Sequence, residues 1–203
     1  MAFRVSGPSS TLRSLAILPL FLFIAAQASA QSDADSKGLA NEEILIVRHA
    51  ERDGAKDALT PDGVDRANAY AKYFKDLSID GRTIHLTHVI AEKSQRTRLT
   101  MEPLSKAIGL PLDTRFATKE AAAMVDDLKH HSYGGEVLIC WHHSKMPNLI
   151  RALGGNPNKL LPDGMWPDTT YDWIIDLRYD ANGHLLATGQ KCIHEHLMPG
   201  DRP

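Results

Sequence analysis

From residue 43 onward, short unbroken apolar runs alternate with stretches in which apolar positions recur every three or four residues. The runs Glu43 to Val47, His85 to Ala91, Glu136 to Trp141, Tyr171 to Tyr179 and His184 to Cys192 read as β-strands, Glu136 to Trp141 being the most apolar. Helical spacing fills the gaps between them. One helix opens at Thr60 as N-cap with Pro61 in its first turn and runs to about Leu77. A second spans Gln95 to Ile108, stopped by Gly109 and interrupted by Pro103. A third runs from a Thr118 cap to about His130 with Ala122, Val125 and Leu128 on one face, and a short fourth covers Pro147 to Leu153 before Gly154-Gly155. Asp180-Ala181-Asn182-Gly183 is a strong hairpin signal between the last two strands. Strands separated by helices pair in parallel and carry helices on both faces. The expected fold is therefore α/β: a three-layer α/β/α sandwich with a mostly parallel central sheet and a C-terminal hairpin.

The first thirty residues stand outside this pattern. Arg4 and Arg13 accompany an apolar stretch from Leu15 to Ala26, and Ala28-Ser29-Ala30 supplies a small-x-small site, which together read as a secretory signal peptide cut before Gln31. The apolar stretch is shorter than the ~20 residues of a bilayer span, which ranks an uncleaved anchor behind a cleaved signal. With no Cys near the cleavage site, lipid attachment there has no acceptor. Residues 31 to 42 are small and polar and read as a disordered lead-in to one domain over 43 to 203. The expected location is thus outside the cytoplasm, secreted or periplasmic, with no membrane association after cleavage.

Without the thirty signal residues, 173 of the 203 remain, and loss of Arg4 and Arg13 lowers the basic count from 23 to 21 against 25 acidic residues, a net charge of −4 with His neutral. That balance offers no basic face for nucleic acid. The two cysteines, Cys140 and Cys192, are too few for a disulfide framework, and the apolar run around Cys140 favours a buried free thiol over a bridge. Nothing in the pattern indicates an oligomeric state.

Chemistry enters at the strand ends. In parallel α/β sheets the loops at the carboxyl ends of the strands build the binding crevice. Arg48-His49-Ala50-Glu51 leaves the first strand, Lys93 to Arg98 follows the second, and His142-His143-Ser144-Lys145 leaves the most apolar one. Guanidinium forks fit phosphate oxygens, and a neutral imidazole can attack phosphorus. Other histidines have simpler readings. His194-Glu195-His196, with His184 nearby, lacks the Cys or Asp spacing of a metal site and reads as polar surface; His130-His131 suit a helix C-terminus. Trp166, Tyr171 and Trp173 read as core, while Pro167-Asp168 could cap the crevice.

These segments, in this order, resemble the histidine phosphatase superfamily in its compact branch, which includes phosphoglycerate mutases and phosphohistidine phosphatases. Arg48-His49-Ala50 resembles the family's Arg-His-Gly opening, and Leu59-Thr60-Pro61-Asp62-Gly63 its Leu-Thr-x-x-Gly helix start. Arg96-Thr97-Arg98-Leu99-Thr100 resembles its Arg-Thr-x-x-Thr segment, and Val137 to Gly155 the strand, histidine and short helix of the second catalytic His. The resemblance covers roughly residues 43 to 179 and implies a phosphoglycerate mutase-like fold. It makes His49 the nucleophile that takes the phosphoryl group, with Arg48, Arg96 and the second histidine binding its oxygens, and it implies neither metal nor cofactor. Ungapped alignment puts the second histidine at His142; a loop shortened by one residue would put it at His143. For the proton donor it points to Glu120, with Glu51 as second candidate. Glu92 stands where the family often has Ser, and Trp141 where it has Gly.

The activity so implied is a secreted, metal-independent phosphatase of the histidine acid type, hydrolysing small-molecule phosphoesters or phosphorylated substrates through a phosphohistidine intermediate. Two alternatives stay open: a phosphomutase, and an exported module that binds phosphate or phosphoesters with little or no turnover.

Overall fold

The computed structural model describes residues 1–3, 37–54 and 56–201; residues 4–30 of the expected signal segment, with its cleavage site, lie outside the described residues. The chain folds as β1 (Glu43–Arg48), α1 (Pro61–Tyr73), β2 (Ser78–Ile79), β3 (Arg82–Thr83), β4 (Leu86–Ala91), α2 (Gln95–Ile108), β5 (Leu112–Asp113), α3 (Ala121–His130), β6 (Glu136–Trp141), α4 (Met146–Ala152), α5 (Pro157–Leu160), β7 (Trp173–Tyr179) and β8 (Leu185–His194). Six strands form one sheet in the order β5-β4-β6-β1-β7-β8. The first four in that order are parallel, and β7 and β8 return as an antiparallel pair on β1.

Strand alternation divides the core into two layers. On β1, Ile44 and Ile46 face Met124, Val125 and Leu128 of α3 and Leu149 and Ile150 of α4. Leu45 and Val47 face the opposite way, toward Tyr70 of α1 and Met101 and Leu104 of α2. Every residue of β1 is buried, so the strand is covered on both faces, as a parallel α/β sheet requires. Cys140 and Cys192 are both free thiols, and Cys140 is buried within β6.

Several boundaries differ from expectation for local reasons. The helix α1 ends at Tyr73, because Phe74 and Leu77 turn into the core and β2 and β3 form a small hairpin over Asp80 and Gly81, both at positive φ. The elements β5 and α5, two and four residues long, are too short to leave a periodic signal. Against the expected disordered lead-in over 31 to 42, residues 37 to 42 are ordered, and 31 to 36 lie outside the described residues. Lys37–Leu39 forms a 3-10 turn, Leu39 is buried against α3, and a Cβ on Gly38 would lie 2.3 Å from the Leu128 carbonyl oxygen. Glu42 then accepts hydrogen bonds from the backbone N–H groups of Tyr133, Gly134 and Gly135 and from the Ser132 hydroxyl, which ties the segment to the loop before β6.

The Leu-Thr-x-x-Gly start of α1 has a steric basis. The Thr60 N–H donates to the Glu51 carbonyl, Thr60 Oγ1 caps the Gly63 N–H, and a Cβ on Gly63 would fall 2.1 Å from the Glu51 carbonyl oxygen. The helix start is pressed against the chain two residues beyond His49. Gly63→Ala is expected to lower stability by about 3 kcal/mol, because the obstacle is backbone and cannot rotate away. Urea denaturation of the variant, read by circular dichroism, measures the loss.

Candidate active site

Four strand-end segments meet at His49. The His49 ring lies 5.7 Å from that of His142, 6.4 Å from that of His143 and 6.4 Å from that of Tyr171, centroid to centroid. The Arg96 charge acts on both His49 and His142, which brings the start of α2 to the same place. The parallel pairing of β1, β6 and β4 accounts for the convergence, since Arg48 pairs with Trp141 and Ala91 with Cys140 at adjoining strand ends.

His49 is fully buried rather than set in an open crevice. Its Nδ1 lies 2.8 Å from the Ala50 carbonyl oxygen, and a carbonyl can only accept, so Nδ1 carries the proton and Nε2 the lone pair. Nε2 is buried without a hydrogen-bond partner. Burial lowers the His49 pKa to about 3, against the pull of the Ala50 carbonyl, and the charges of Arg48, Arg96 and His142 act in the same direction as burial. The imidazole is therefore neutral throughout the ordinary pH range. The Ala50 N–H donates to Thr100 Oγ1, which in turn donates to the Arg96 carbonyl. The second Thr of Arg-Thr-x-x-Thr thus fastens α2 to the backbone just after His49.

The proton on His142 sits on the other nitrogen. Its Nδ1 accepts from the Ser144 N–H at 3.3 Å and lies 3.0 Å from the Ser144 hydroxyl, so in the neutral ring Nε2 carries the hydrogen. A nitrogen lone pair on His49 and an N–H on His142 form a complementary pair for attacking phosphorus and holding one of its oxygens. The two adjacent histidines do not diverge, as successive residues of a strand would. His142 caps the 3-10 turn His143–Lys145, and the rings stack at 4.6 Å with planes 26° apart. His143 Nδ1 lies 3.2 Å from Asp168 Oδ1.

The arginines are differently employed. Arg48 Nη1 donates to the carbonyl oxygens of Pro167 (3.2 Å), Asp168 (2.7 Å) and Thr170 (3.0 Å), and its guanidinium lies 3.9 Å over the Tyr171 ring. It holds the 167–171 segment across the site, which makes that segment the cap suggested by Pro167-Asp168. Arg96 Nη1 donates to Asp57 Oδ1 at 2.6 Å, and Asp57 Oδ2 accepts the Gln95 N–H at 2.7 Å. An internal carboxylate therefore occupies the start of α2. Arg52 adds a third guanidinium whose charge acts on Arg48, His142 and His143. Arg52 and Asp57 escaped the sequence reading, although Arg52 stands four residues beyond Arg48; Asp57 left no local signal.

Both candidate carboxylic acids are bound to partners outside this cluster. Glu120 Oε2 accepts the Ala117 N–H at 2.7 Å, closing the turn before α3, and lies 3.9 Å from Lys93 Nζ. Glu51 is held by Arg66, with Nε 3.0 Å from both carboxylate oxygens and Nη2 2.7 Å from Oε1. Arg66 also binds both carboxylate oxygens of Asp201, at 3.1 and 2.6 Å. Glu51 thus belongs to an ion-pair network with Arg66 and Asp201, and its charge also acts on Arg48.

The residues that departed from the family pattern are both fully buried. Trp141 packs in the core beneath the site, and Glu92 accepts from the Ser94 hydroxyl at 2.8 Å and lies 3.6 Å from Arg96 Nη2. The His194 and His196 rings lie 5.7 Å apart, centroid to centroid. His194 stacks on Trp173, and Glu195 turns inward to accept from the Tyr70 hydroxyl at 2.6 Å.

No family model matches the chain, and no curated relative matches its sequence. Solved structures do. YhfR of Bacillus stearothermophilus matches with TM-score 0.51 at 15% identity, over 73% of this chain and 96% of its own. Phosphoglycerate mutase of Plasmodium falciparum gives 0.50 at 19% identity over 72% and 88%. A candidate alpha-ribazole-5'-P phosphatase of Escherichia coli gives 0.50 at 12% identity over 77% and 96%. The chain shares its fold with these structures, a phosphoglycerate mutase among them.

Proposed function

We propose that the chain is an exported, metal-independent phosphomonoesterase of the histidine acid type that works through a phosphohistidine on His49. The observation that carries this reading is the unprotonated, partnerless Nε2 of His49, under the charges of Arg48 and Arg96 and beside the ring of His142, whose Nε2 carries its proton. A phosphoryl group in transfer needs a nucleophile in line and positive charge and donors around its oxygens, and here side chains supply all of these. The names of the fold's neighbours, a phosphoglycerate mutase and a candidate ribazole-phosphate phosphatase, support phosphoryl chemistry on small substrates. Arg4, Arg13, the apolar stretch and Ala28-Ser29-Ala30 support export.

The test is a panel of phosphomonoesters with the protein beginning at Gln31, with and without a chelator. Hydrolysis that persists in the chelator, with a burst of alcohol product marking the covalent intermediate, is the expected result. Activity lost to the chelator and restored by zinc or magnesium would overturn the reading.

The pH dependence adds a further expectation. Because kcat/KM reports the free enzyme, its acid limb does not fall at the ordinary histidine value near 6.5; the nucleophile stays unprotonated down to about pH 3. The same shift acts on stability. The unfolded imidazole takes its proton near pH 6.5 and the folded one near 3, so the stabilisation is complete above 6.5 and declines as pH falls through that window, by up to about 1.4 kcal/mol per unit. A rate profile and a denaturation series from pH 3.5 to 8 check both.

A further inference from the structure

The two carboxylic acids expected to serve the leaving-group oxygen are engaged elsewhere, Glu51 by Arg66 and Glu120 in closing a turn. We infer that His143, oriented by Asp168, is the proton donor to the leaving oxygen; this rests on the phosphatase reading above and assigns a role within the same site. Three observations support it. The His143 ring is 6.4 Å from the His49 ring and nearly perpendicular to it, stacked on the ring of His142, so it borders the same reacting centre. Its Nδ1 lies 3.2 Å from Asp168 Oδ1, so Nε2 is the nitrogen left for a substrate. Asp168 is itself positioned, because Arg48 Nη1 grips the carbonyl of that same residue and those of Pro167 and Thr170. An imidazole with a carboxylate on one nitrogen and the other free is the arrangement of an acid–base catalyst. It also accounts for the use of Arg48 on backbone carbonyls.

The groups facing His143 are Arg48, Arg52, His142 and Asp168. In the free site, burial and the Arg48 charge hold the imidazole near a pKa of about 4, with Asp168 opposing. A dianionic ester bound among these groups reverses the local charge and lets His143 take up one proton. In the first step the His49 Nε2 lone pair forms a bond to phosphorus. The ester P–O bond breaks, and the leaving oxygen takes the proton from His143 Nε2, departing as the alcohol. In the second step His143 Nε2 removes a proton from water as the water oxygen bonds to phosphorus and the P–N bond breaks. His49 regains its lone pair, and phosphate leaves.

Leaving-group dependence is the test, since a merely structural residue slows all esters alike. Rates are measured on 2,4-dinitrophenyl phosphate, whose phenolate departs without a proton, and on ethyl phosphate, whose alkoxide does not. For His143→Gln the ratio of the first rate to the second is expected to rise about a hundredfold over wild type, the usual scale of general acid catalysis. Asp168→Asn is expected to move the ratio the same way by less, and the double variant no further than His143→Gln. Equal losses on both esters overturn the assignment, and the rate on the activated ester shows that the variant is folded. Wild-type protein inert toward both esters overturns the phosphatase reading itself, and the assignment with it.

Discussion

His49→Ala is expected to abolish turnover, by at least about 10⁴-fold in kcat, the scale on which enzymes lose activity when their nucleophile is removed. The loss is not one of folding. Because His49 is fully buried beneath His142, His143 and Tyr171, alanine leaves a void, and a stability loss of about 1–3 kcal/mol is expected. The lower end is favoured, since the deleted Nε2 has no partner to leave behind. Single-turnover assays with and without the variant histidine, set beside urea denaturation of each protein, separate the two effects: kcat vanishes while a cooperative unfolding transition remains.

The second large effect is at His142. In the proposed mechanism its Nε2–H donates to a phosphoryl oxygen, so His142→Ala is expected to cost about a hundredfold in kcat on an activated aryl phosphate, or on the order of 3 kcal/mol of barrier. His143→Ala is expected to cost much less on that substrate, because little proton donation is needed there. Steady-state rates of both variants on one aryl phosphate give the comparison; a dead His143→Ala beside an active His142→Ala would reverse the two roles.

The parts of the site legible in the sequence are those made by neighbours along the chain. The apolar run before Arg48-His49 and the Thr60 cap of α1 are local features, and the structure places them as their chemistry implies. The choice between His142 and His143 was not legible, because strand alternation stops where His142 caps a 3-10 turn, and the Ser144 contact that sets its proton exists only in three dimensions. The partners of Arg48 were equally hidden. Its carbonyl ligands lie 119 to 122 positions along the chain, and a backbone oxygen has no sequence signature. For the carboxylates, residue type suggested acids, whereas Arg66 and the Ala117 N–H had already claimed Glu51 and Glu120.

The network around Arg66 bears on when the site can exist during biosynthesis. Arg66 joins Glu51, two residues from the nucleophile, to Asp201, 135 positions further on, and its guanidinium is almost wholly out of solvent. Until residue 201 has been made, that buried cation has Glu51 and Glu195 beside it but not Asp201. A nascent chain that stops short of Asp201 therefore carries the Glu51 loop without this long-range clasp.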